Sequence, residues 1–286
     1  MDIPAAQTGP GLSTDIRRWL LPRLLVNREY GAWAMLLVPA ITGMGIAGGW
    51  SARIPLFLGA IFCLYLARYP LFLWSRSPSS RLPAGWLFSL AVSLVLGGTL
   101  AAPLILRYRL WWLLPLGALA LAILLFHLYL ARRRWDRSVA GEFLGVLGLA
   151  LSAPAGYYTL TGSLDPRAWL LWLVCAAFFG SSIFYVKMKV EYPLRRRKAV
   201  LTSKSQFVAP LWVYHGGVLA TTAILGRLGV VPLWTFLAFL PIAAQALAGG
   251  LNLGHRPNLK RLGLTQLGHS LLFAALLIAI FRLSAT

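Results

Sequence analysis

Only seven of the 286 residues are acidic: Asp2, Asp15, Glu29, Asp136, Glu142, Asp165 and Glu191. Glu142 stands out because the apolar run 139–160 begins three residues before it, putting a carboxylate in the first turn of a membrane helix. An ionisable group there either pairs with a base or serves a ligand. The helix dipole also favours a carboxylate at that end, and Arg132, Arg133 and Arg134 lie close in sequence. Glu142 is thus the candidate catalytic residue, with a structural ion pair as its alternative. A second set is cationic. Arg68, near the end of the run 54–74, and Lys187 and Lys189, just past the run 169–186, would line one cavity. Fixed cations of this kind hold a phosphate, diphosphate or carboxylate. Tyr185 lies four residues before Lys189 and shares its helical face. Glu29 and Tyr30, at the start of the first apolar run, complete the expected ligand-binding set. Arg195, Arg196, Arg197 and Lys198 read instead as cations snorkelling to the interface.

His127, His215 and His269 fall in the same half of their runs, with His255 in a loop on that side. Three membrane histidines at one depth could ligate a haem or a metal, which keeps a haem-binding or assembly factor open as an alternative function. They carry no H-x₃-H spacing, so no metal or cofactor is expected. Cys63 and Cys175 both lie mid-run and read as buried thiols acting as small apolar groups.

The elements that must position these groups are nine apolar runs, at 32–49, 54–74, 84–106, 110–131, 139–160, 169–186, 206–225, 231–250 and 263–283. Each is about the 20 residues that cross a bilayer. Lysine and arginine fall into alternate gaps, 21 on one side and 6 on the other, out of 27. The basic side is retained in the cytoplasm. The expected fold is all-α and integral to the membrane: nine transmembrane helices, N-terminus in and C-terminus out. Residues 1–31 form a cytoplasmic tail with a short interfacial helix, and 32–286 a single transmembrane domain. With 59% hydrophobic and 12% charged residues, the chain leaves no room for a separate soluble domain. Its net charge of +20 faces anionic headgroups rather than nucleic acid. Two basic-side loops, 75–83 and 187–205, are long enough to be functional. Gly45 with Gly49, and Gly141 with Gly145, have the four-residue spacing that lets helices approach closely.

The stretch Asn27-Arg28-Glu29-Tyr30-Gly31-Ala32-Trp33-Ala34-Met35-Leu36-Leu37-Val38-Pro39 resembles the opening of the YwiC-like family of bacterial membrane proteins, with Tyr30 where that family has His. Arg137-Ser138-Val139-Ala140-Gly141-Glu142 and Tyr185-Val186-Lys187 are also similar to it. The resemblance implies a multi-pass protein of the bacterial cytoplasmic membrane and brings no activity with it. Helix number, orientation and the two long loops are also similar to UbiA-type intramembrane prenyltransferases, whose loops carry aspartate-rich Mg²⁺ sites. Here loop 75–83 has no acid and loop 187–205 only Glu191, too few oxygen ligands for Mg²⁺. The expectation is a UbiA-like bundle that binds, or binds and transfers, an isoprenoid or other anionic amphipathic lipid held by Arg and Lys in a cytoplasm-facing cavity. A transporter is the other alternative.

Overall fold

The structure, a computed structural model, describes residues 30–76, 85–197, 203–253 and 258–284. These residues are almost wholly helical: α1 (Tyr30–Ala47), α2 (Arg53–Leu66), α3 (Arg68–Arg76), α4 (Trp86–Leu106), α5 (Leu113–Arg132), α6 (Val139–Ala150), α7 (Ser152–Thr161), α8 (Pro166–Arg197), α9 (Lys204–Arg227), a 3₁₀ segment (Leu233–Phe239), α10 (Leu240–Leu251) and α11 (Leu259–Leu283). Each predicted apolar run coincides with one helical crossing. Among the described residues eight stretches are long and apolar enough to span a bilayer, and Ala32–Ala47 is a shorter apolar helix at the place of the remaining run. The protein is a multi-pass membrane protein.

Three crossings are broken midway, and a proline follows each break. The second breaks at Ala67, between α2 and α3, with Pro70 behind it; the fifth breaks at Leu151, between α6 and α7, with Pro154 behind it. In the eighth, the 3₁₀ segment gives way to α10 at Leu240-Pro241. Proline lacks the N–H owed to the carbonyl four residues back, and its ring crowds that carbonyl. Proline alone does not decide the matter, since Pro39 and Pro210 lie within the unbroken helices α1 and α9. Arg68 consequently stands at the start of α3, two turns before the crossing ends at Arg76, and not at its end as expected. The stretch 187–197, expected as loop, continues α8.

The hub of the bundle is α8, 61% of whose apolar window is buried, against 17% for α5, which faces outward. Around α8 a ring cluster locks three elements: Phe178 stacks on Phe273 of α11 at 4.0 Å between centroids, and Phe239 of the 3₁₀ segment meets Phe273 edge-on at 5.3 Å. The closest helix pair is α1 with α7. Gly43 faces the backbone at Ala153, and Gly156 faces the carbonyl of Ala40, with no room for a Cβ at either. Of the expected pair, Gly45 packs against Ile278 of α11, while Gly49 lies beyond α1 and touches nothing.

Candidate anion site

The run Arg132-Arg133-Arg134-Trp135-Asp136-Arg137 joins α5 to α6. Its turn ends α5 in a Schellman arrangement. The Trp135 N–H donates to the Leu130 carbonyl (2.9 Å), the Arg134 N–H to that of Ala131 (3.1 Å), and Arg134 takes the left-handed position at φ 60°. Glycine normally fills that position, because an L side chain costs roughly 1–2 kcal/mol there. Here an arginine does. Further on, the Ser138 hydroxyl donates to the Trp135 carbonyl (2.7 Å) and accepts from the Gly141 N–H (3.0 Å), capping α6. A Cβ at Gly141 would lie 2.6 Å from the Trp135 oxygen and 2.8 Å from that of Asp136. Only glycine lets the first turn of α6 press against the loop this closely.

Asp136 fastens the loop to α3. Its Oδ2 meets Arg76 Nη2 at 2.5 Å, and the Arg76 guanidinium lies over the Phe72 ring at 4.3 Å. The other oxygen, Oδ1, is buried with no hydrogen-bond partner among the described residues. Between α3 and the loop opens a cleft of about 530 Å³ lined by Ser75, Arg76, Ala131, Arg132, Arg134, Asp136 and Arg137. Arg132 rests on Trp74 at 4.8 Å. Among the described residues neither Arg134 nor Arg137 forms an ion pair. Four guanidiniums thus face one carboxylate, which is already engaged by Arg76. Such a cleft suits an oxyanion, since guanidinium forks match carboxylate and phosphate geometry.

The groups singled out in the sequence are not gathered at one point. Glu142 pairs with Lys187 at 3.3 Å, and Lys187 also donates to the Arg137 carbonyl at 2.6 Å. Its partner therefore comes from α8, and not from the nearby arginines, which line the cleft or lie over an aromatic ring. Lys189 donates to the carbonyls of Gly249 (3.0 Å) and Asn252 (2.7 Å), closing the C-terminus of α10 alongside Lys204 on Leu251 (2.9 Å). Tyr185, on the same face as Lys189, packs its ring on Gly249. Lys187 lies two residues from each, on the far side of α8. Arg68 is half-buried, with its guanidinium 5.9 Å from the Phe72 ring. α3, which carries Arg68, packs on α5, while α8, which carries Lys187, packs on α6. Tyr30 opens α1; its side chain lies outside the described residues, as do Glu29, His255 and the whole tail.

The histidines take separate partners. His127 stacks on Phe72 (6.2 Å), His215 Nδ1 meets the Leu211 carbonyl (2.7 Å), and His269 Nδ1 meets that of Thr265 (2.8 Å). Among the described residues no three His, Cys, Asp or Glu side chains converge as a metal site. Arg76, Arg134, Asp136 and Arg137 were absent from the sequence candidates. The one signal for them was the density of arginine in 132–137, which looks the same whether the side chains line a cleft or splay into headgroups.

A family model described as YwiC-like protein matches residues 26–157. The chain is 34% identical over 228 residues to a Bacillus subtilis (strain 168) protein described as uncharacterized protein YwiC, a match covering 78% of this chain and 85% of that one. It is 29% identical over 167 residues to an uncharacterized protein of Haemophilus influenzae (strain ATCC 51907 / DSM 11121 / KW20 / Rd), covering 58% of this chain and 67% of that protein. No solved structure matches.

Proposed function

The chain belongs to the YwiC-like family, and on that footing we propose that it binds an anionic amphiphile, such as an isoprenoid or other lipid phosphate, at the membrane face carrying its basic loops. That face is read as cytoplasmic, in the bacterial inner membrane, from the 21 to 6 division of basic residues. The carrying observation is the cleft of Arg76, Arg132, Arg134 and Arg137, where the positive charge outweighs the single carboxylate. The apolar flank of α5, exposed along much of its length, offers a surface for the tail of such a ligand. This moves the headgroup site from Arg68 and Lys189 to the α5–α6 loop, and leaves Glu142 as the partner of Lys187. The UbiA-like reading of the bundle rests on helix number and charge polarity.

Arg134 provides the test. Arg134→Gly removes one cation and relieves a left-handed arginine, so binding and folding should move in opposite directions. With the full chain in a neutral maltoside detergent, dodecyl phosphate should bind the α5–α6 loop cleft of wild type at least about tenfold more tightly than that of R134G, since a charged hydrogen bond contributes roughly 1.5–3 kcal/mol. Equal binding by the two proteins contradicts the reading. Binding should persist in excess EDTA, because the ligand is held by arginine; loss on chelation would restore a metal-bridged site.

A second reading, transport, is favoured by the three broken crossings. Discontinuous helices recur where transporters bind substrate near the midplane. It predicts flux of an organic phosphate across proteoliposomes containing the protein, which a binder would not produce.

A further inference from the structure

On the face opposite the basic loops, we propose a second binding cleft that takes the oxyanion head of a single-tailed amphiphile. It encloses about 530 Å³ between the C-terminal ends of α1 and α11, the start of α8 and the loop before the 3₁₀ segment, a volume within the range of small-molecule sites. Its lining is mixed: Ile46, Leu170, Val231 and Phe281 supply apolar surface, and two guanidiniums, Arg167 and Arg282, enter beside Tyr157 and Ser284. This face carries only six of the 27 basic residues, so the convergence of two in one cleft is not explained by the charge bias that orients the chain. The Tyr157 hydroxyl, also in the lining, links Arg167 to the Asp165 carboxylate. Asp165 Oδ2 accepts from the Tyr157 hydroxyl (3.0 Å) and Oδ1 from the Ala168 N–H (3.2 Å). Among the described residues neither Arg167 nor Arg282 forms an ion pair.

The two arginines differ in what else they do. Arg282 donates through Nε to the Gly45 carbonyl at 2.7 Å, closing the C-terminus of α1, with Nη2 beside Gly48 of the cleft lining. Arg167 sits in the first turn of α8, where the helix dipole disfavours a cation. A bound oxyanion would offset that cost, accepting from the guanidinium alongside its Tyr157 contact, while its chain lies along Ile46, Leu170, Val231 and Phe281. The ligand is thus an alkyl carboxylate or alkyl phosphate, and a cationic amphiphile of the same length is excluded by charge.

The test uses full-chain R134G, in which the arginine cleft on the basic face is weakened, titrated calorimetrically in neutral detergent with decanoate, decyl phosphate and decyltrimethylammonium. One or both oxyanions should bind and the ammonium should not, and which oxyanion binds separates a carboxylate from a phosphate ligand. Adding Arg167→Gln should weaken binding at least tenfold, whereas adding Arg227→Gln, on the same face but outside the cleft, should leave it unchanged. Arg167 contacts the Tyr157 side chain but, among the described residues, closes no helix end as Arg282 does, so R167Q is expected to fold; unfolding midpoints recorded alongside check this. Equal binding of the ammonium, no oxyanion binding, or an R167Q variant that binds as before would overturn the proposal.

Discussion

At the scale of single residues, ionic side chains in this protein separate into those consumed by structure and those left over. Glu142 and Lys187 consume each other. Both are partly exposed, with side chains 35% and 23% accessible, so the pair lies between a surface bridge of under about 1 kcal/mol and a buried one whose rupture costs about 3–5 kcal/mol. Glu142→Gln should lower the unfolding midpoint in detergent by an amount on the order of 1–2 kcal/mol, and Lys187→Met in the same chain should restore part of it. A midpoint that holds in E142Q while ligand retention falls would assign Glu142 to the ligand instead. Lys189 is spent on the carbonyls at the end of α10. Lys189→Gln is therefore expected to reduce thermal stability and to leave dodecyl phosphate affinity unchanged. The sequence put Lys187 and Lys189 in one pocket because both fall at the same end of the run 169–186. Since the helix runs on to Arg197, two residues amount to roughly 200° of rotation, and the side chains part company.

Among elements, the apolar runs were legible because nine crossings need nine stretches of nearly uncharged sequence, and nothing soluble competes with that pattern. The breaks were not. Pro70 and Pro154 follow broken turns while Pro39 and Pro210 sit in intact helices, so the residue type does not distinguish them. Close helix contacts were half legible: glycine spacing drew attention to α1 but to Gly45 and Gly49, whereas the tight approach to α7 uses Gly43 and Gly156. That difference is testable. Gly156→Leu should disrupt the α1–α7 contact and cost upwards of about 2 kcal/mol through overpacking. Gly217→Ala, in α9 with nothing within 4 Å of the added carbon, should be neutral or stabilising by up to about 1 kcal/mol. Unfolding midpoints in detergent, or expression yields of the two variants, provide the comparison. The α5–α6 loop escaped the sequence for another reason. Its cleft requires Arg76 from α3, some sixty residues away, and a left-handed Arg134, neither of which can be read from a run of arginines.

For the molecule as a whole, the charge division predicts an orientation. A reporter fused at Ser203 should read cytoplasmic and one after Thr286 should read external; a C-terminal fusion reading cytoplasmic would mean one crossing is miscounted. The central claim is that the basic face holds an anionic amphiphile by arginine alone. Mass spectrometry of lipids retained by the full chain, purified in neutral detergent with EDTA throughout, tests it most directly. The account predicts one anionic amphiphile enriched over bulk lipid in wild type and, with Arg167→Gln in both chains to silence the opposite cleft, depleted at least about tenfold on adding Arg134→Gly and Arg137→Gln, as expected for loss of a charged hydrogen bond. Equal lipid content in the two proteins, or no anionic species enriched in wild type, would contradict it.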